Sequence, residues 1–151
     1  MCEEINEFES IGPYSDKEAV EALGKLADHP AVIEVSKAIF PDKPKEYLRE
    51  VLKNLKSIDE FQTLVMSKAI EWVLDTSAHN FSYDGIENLK KINGKFLALS
   101  NHRDIILDPA ITQVVLYRNG IKTTEIAVGS NLLSNKYVEY LIRSNRMIKV
   151  I

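Results

Sequence analysis

The sequence predicts an α/β protein: a helical N-terminal region over residues 1–80, then the β-α-β-α-β part of a parallel-type sheet over residues 81–151. Two observations lead there. Apolar residues recur at helical spacing through the first half, and after residue 94 the pattern changes to short apolar runs alternating with helix-length segments. Strands and helices in alternation imply parallel pairing through crossover connections.

The elements are taken in chain order. In "YSDKEAVEALGKLAD", Ser15 and Glu18 have the spacing of a reciprocal N-terminal cap, and Ala19, Val20, Leu23, Leu26 and Ala27 share one face. Asp28-His29-Pro30 interrupts this helix, because the residue before a proline is pushed out of the helical region. "PAVIEVSKAIF" resumes with Val32, Val35, Ile39 and Phe40 and stops at "PDKP". Tyr47, Leu48, Val51, Leu52 and Leu55 mark a further amphipathic helix. "SIDEFQTLVMSKAIEWVLDTSAHN" opens on a second Ser-x-x-Glu pair, Ser57 and Glu60, and carries Phe61, Leu64, Val65, Ala69, Trp72 and Val73 as its stripe. Asp84-Gly85 and Asn93-Gly94 are turn dipeptides, so a short strand and a connecting segment are expected between residues 80 and 94.

Strands are expected at 95–100 ("KFLALS"), 123–129 ("TTEIAVG") and 146–151 ("RMIKVI"), with helices at 108–120 and 131–145 between them. In sheets of this kind function gathers beyond the carboxyl ends of the strands. "SNHRD" falls at that end of the first one.

Composition narrows the classes of function. The chain has 151 residues, 45% hydrophobic and 27% charged, as a globular domain with a core has. A net charge of -3 gives no overall basic character for nucleic acid. The single cysteine, Cys2, allows no intrachain disulfide and no thiolate metal site, and three scattered histidines do not argue for metal; a reducing, cytoplasmic setting is expected. The acidic start lacks the basic and then apolar pattern of a secretory signal, and no run reaches the length of a membrane span, which leaves contact at a membrane surface open.

His102 is the residue on which chemistry is expected. A histidine after a strand often only caps a helix or bonds a loop carbonyl. Here Asp104 and Asp108 follow within six residues, and either carboxylate could take the Nδ1 proton and leave Nε2 free as a base. Asp108 precedes Pro109, so Asp108 is equally a candidate N-cap of the next helix.

The stretch "DGIENLKKINGKFLALSNHRDIILDPAI" resembles the first block of the glycerolipid acyltransferases, in which a Gly-x-Glu-Asn-Leu segment leads into an apolar strand and then Asn-His-x-x-x-x-Asp. The matching residues are Gly85, Glu87, Asn88, Leu89, Asn101 and His102, with a downstream aspartate. "TTEIAVGSNLLSNKYVEYLIRSNRMIKVI" is similar to the family's second block; together the two cover about residues 81–151. Two departures stand out: five residues rather than four separate His102 from Asp108, and no Glu-Gly-Thr-Arg-like third block is present. The apparent third strand runs to the last residue, and this with the missing block leads to the expectation of a truncated domain, inactive as it stands.

The resemblance implies acyl transfer in phospholipid biosynthesis, from acyl-CoA or acyl-carrier protein to a hydroxyl of a glycerol phosphate-type acceptor. No bound cofactor is expected. It implies catalytic roles for His102 with Asp108 or Asp104, and substrate binding by Asn101, Arg103, Ser130, Asn131 and Lys149. The rival class is a non-catalytic α/β binding module in which "NHRD" is a loop without chemistry.

Overall fold

In the computed structural model, which describes residues 10–101 and 103–151, the chain forms two units. One comprises the chain up to Ala69 together with Glu125–Ile151, the other Ile70–Thr124.

In the first unit, helix α1 (Asp16–Leu26) starts as its sequence predicts: the Ser15 hydroxyl accepts from the Glu18 N–H, and Glu18 accepts from the Ser15 N–H at 2.8 Å. The hydrogen bonds from Ser15 hold the Glu18 carboxyl below its ordinary range. A depressed carboxylate adds stability above its unfolded pKa and loses it as pH falls through the folded value. Ser15→Ala is therefore expected to cost about 1 kcal/mol at neutral pH. The loss should shrink in acid once Glu18 is protonated, which thermal unfolding at a series of pH values would show.

Helices α2 (Ala31–Ile39), α3 (Tyr47–Asn54) and α4 (Ile58–Phe61) come next. Their apolar faces meet in a core of Leu23, Ala27, Val32, Leu48, Leu52, Leu55, Phe61 and Val65. The buried Ser36 hydroxyl accepts from the Leu48 N–H at 3.2 Å, and Asp16 accepts from the Ile58 N–H at 2.9 Å, so the helices are also tied by polar bonds. Ser57 caps α4 through the Glu60 N–H, but the Glu60 side chain accepts from Lys56 rather than Ser57, which leaves the expected box half made.

After α4 the helix widens into a π turn, Gln62–Met66, before α5 (Ser67–Ser77). The expected stripe holds in part: Leu64 and Trp72 are exposed, Phe61 and Val65 are buried in the first unit's core, and Ile70 and Leu74 are buried in the second unit's.

In the second unit Ile70, Leu74 and Val114 form a small core with Ala78, Ala110 and Ile111. It contains a short helix α6 (Ile86–Lys90), entered through Gly85 at φ 77°, and helix α7 (Leu107–Arg118). Helix α7 ends as expected at Gly120, whose φ of 69° favours glycine.

The strand expected at 95–100 is not formed, nor is the short strand expected between residues 80 and 94. A strand exists only where a neighbour takes its backbone N–H and C=O groups, and among the described residues none bonds 95–100. Leu97 and Leu99, two apart, are 83% and 87% exposed.

The remaining elements belong to the first unit. Strands β1 (Ile126–Gly129) and β2 (Met147–Val150) pair in parallel, Ile126 opposite Met147 through Gly129 opposite Val150. Between them lie a 3-10 turn (Ser130–Leu133) and helix α8 (Lys136–Arg143). The single helix expected at 131–145 is thus divided. Asn135 makes the break by accepting from the N–H groups of Tyr137 and Val138, an N-cap that starts α8 afresh. Among the described residues the architecture is therefore mixed: mainly helical, with a two-stranded parallel sheet rather than the three strands expected.

Candidate functional site

The segment expected to carry the chemistry lies in the second unit, at the entrance to α7. His102 itself lies outside the described residues. Asn101, Arg103 and Asp104 around it are exposed, and Asp108 is half-buried.

The two aspartates divide the hydrogen bonding of this loop. Asp104 Oδ1 accepts from the backbone N–H groups of Ile106 at 2.8 Å and Leu107 at 2.7 Å. Its carbonyl accepts from the Asp108 N–H at 3.3 Å, so the helical pattern begins at Asp104. Ile106 and Leu107 are the second and third residues after Asp104, so its side chain caps the turn 104–107 that leads into the regular helix starting at Leu107. Asp108 is therefore not the cap; it sits inside the first turn, next to Pro109, which needs no hydrogen bond there. The Asp108 carboxylate folds back, and one of its oxygens accepts from the N–H groups of both Arg103 and Asp104, the latter at 3.0 Å.

The pairing expected between His102 and either aspartate lies outside the described residues; what is described is the Asp108 carboxylate held against the two residues immediately after position 102. Upstream, "GIENL" is the left-handed Gly85 followed by the short helix α6, with Asp84 accepting from the Gly85 N–H at 2.6 Å.

Ser130, Asn131 and Lys149 belong to the first unit. Ser130 and Asn131 leave the carboxyl end of β1, and Lys149 lies opposite Val128 near the same end of β2. Asn131 folds back over Gly129: a Cβ at that glycine would lie 2.5 Å from Asn131 Oδ1. A turn of the exposed Asn131 side chain would relieve that contact, and Gly129 has an ordinary extended backbone.

Sequence spacing gave no sign of a clamp around Arg143. Its Nε donates to the Gly12 carbonyl at 3.0 Å, its carbonyl accepts from the Tyr14 N–H at 3.1 Å, and its guanidinium stacks 4.2 Å from the Tyr14 ring centre. Burial, with Glu139 nearby, pushes the Tyr14 hydroxyl above its ordinary pKa. Tyr14 and Tyr140 line an open cleft of about 160 Å³ with Glu18, Glu21, Ala22 and Lys25. His29 is structural: its Nδ1 accepts from the Ala31 N–H at 3.2 Å and its ring meets Tyr137 edge-on.

Among the described residues no three acidic, histidine or cysteine side chains group as metal ligands would, and no helix is long and apolar enough to cross a membrane. Comparison with known proteins finds no matching family model, no matching curated protein and no matching solved structure.

Proposed function

We propose that this chain carries the catalytic loop of an acyltransferase that moves a fatty acyl group from acyl-CoA or acyl-carrier protein to the hydroxyl of a glycerol phosphate-type acceptor. The observation that carries the reading is the position of the Asp108 carboxylate, folded back onto the N–H groups of Arg103 and Asp104 beside position 102. A carboxylate anchored there can orient an imidazole and stabilise its charged form.

In the proposed reaction His102 takes the proton of the acceptor hydroxyl as its oxygen attacks the thioester carbonyl. The tetrahedral adduct then collapses, the carbon–sulfur bond breaks, and the leaving thiolate recovers the proton from the imidazolium. An ester and a free thiol result, with no covalent enzyme intermediate. Asn101 and Arg103, on either side of position 102, are assigned as polar contacts to the acceptor. Peripheral contact with lipid belongs to the same proposal. So does a strand at residues 95–100 leading into the loop, which the exposed apolar side chains of Leu97 and Leu99 support.

The test is acceptor-dependent thiol release by the intact protein, given an acyl thioester with and without glycerol 3-phosphate. Thiol released in step with new ester supports the reading; release indifferent to the acceptor, or none, overturns it. A second reading, a non-catalytic binding module, draws support from the exposure of Asn101, Arg103 and Asp104, since catalytic groups usually line a concave site.

A further inference from the structure

Asp104 and Asp108 follow His102 by two and six residues, and both are carboxylates, yet their bonds differ in kind. Asp104 is turned towards the helix: one oxygen receives the Ile106 and Leu107 N–H groups, and its carbonyl receives that of Asp108. Asp108 is turned the other way, towards Arg103 and Asp104. The bonds interlock. The Asp104 cap fixes where α7 begins, and that start fixes the direction from which Asp108 reaches back.

We infer that Asp104 is a positioning residue: it caps α7 so that Asp108 is aimed at the loop, and this role needs a hydrogen-bond acceptor rather than a negative charge. This deepens the acyl-transfer reading, on which its kinetic consequence rests, and it leaves Asp108 as the carboxylate that serves His102. It also accounts for the five-residue spacing, because a chain with an added residue here must close a longer turn, and the cap closes it.

The experiment compares Asp104→Ala, Asp104→Asn and Asp104→Ser in the intact protein, reading amide exchange at Ile106 and Leu107 and acceptor-dependent thiol release. Loss of the cap in Asp104→Ala should speed exchange at those amides about five- to thirtyfold. It should lower kcat more than it raises KM and leave the pH profile where it was. Asn and Ser both cap well, so both variants should return exchange and kcat to within about threefold of the parent. The inference is overturned if Asp104→Ala leaves exchange unchanged. It is equally overturned if Asn and Ser restore exchange but not kcat, or shift the pH profile, because the charge would then be what matters. If the parent protein transfers no acyl group, the acyltransferase reading fails, and amide exchange alone decides whether Asp104 caps the helix.

Discussion

Replacing His102 with alanine in the intact protein is expected to lower acceptor-dependent thiol release by at least about 100-fold, the range general-base catalysis supplies. Little is left to drive the attack without it. An alcohol is almost wholly protonated at neutral pH, and as a neutral nucleophile it attacks a thioester slowly. Removing its proton during attack is the step for which the loop offers a base. The Asp108 carboxylate cannot substitute, since it is a weaker base than imidazole and is already engaged with the Arg103 and Asp104 N–H groups. KM for the thioester should change much less than kcat, because the imidazole is assigned to the reacting hydroxyl and not to the acyl chain. Circular dichroism matching the parent would show that the loss is chemical.

The second large effect is on stability. Phe61→Ala is expected to cost about 3–5 kcal/mol, a large share of the stability of a typical domain. Phe61 is fully buried, at 0% exposure, in the core shared by α1, α2 and α3. It also sits at the last position before the π turn, so the cavity would open where the helix is already irregular and least able to close over it. Phe61→Leu should cost much less, since most of the volume is kept. Urea unfolding followed by circular dichroism would measure both; a loss below about 1 kcal/mol for the alanine variant would contradict a core built around Phe61.

Much of the helical part was legible in the sequence because its signals are local. Ser15 with Glu18, Pro30, and the spacing of Leu48, Leu52 and Leu55 act within one or two turns, and each is found where its chemistry directs. The misses were of another kind. The π turn at Gln62–Met66 leaves no mark in composition, and the buried residues beyond it, Ile70 and Leu74, belong to a second core with Val114. Asn135 was read through as part of a helix although its side chain is a ready cap. Residues 95–100 have the composition of a strand, but a strand is a property of two segments, and the sequence of one cannot supply the other's hydrogen bonds.

At the candidate site the residue types were legible and their roles were not. "NHRDIILD" showed two carboxylates close to one histidine. Which of them caps the helix depends on where α7 starts, and a boundary shift of a few residues exchanges the roles. The clamp of Arg143 on Gly12 and Tyr14 joins residues too far apart for any spacing rule to reach.

The claim on which the rest depends is that an unprotonated imidazole at position 102 removes the acceptor's proton. Its most direct test is the pH dependence of kcat/KM for acceptor-dependent thiol release by the intact protein and by His102→Ala. The parent rate should fall with a slope of one as the pH becomes acidic, because protonation removes the base. The residual rate of the variant should lose that acid limb. A variant that keeps both the parent rate and the acid limb would contradict the account.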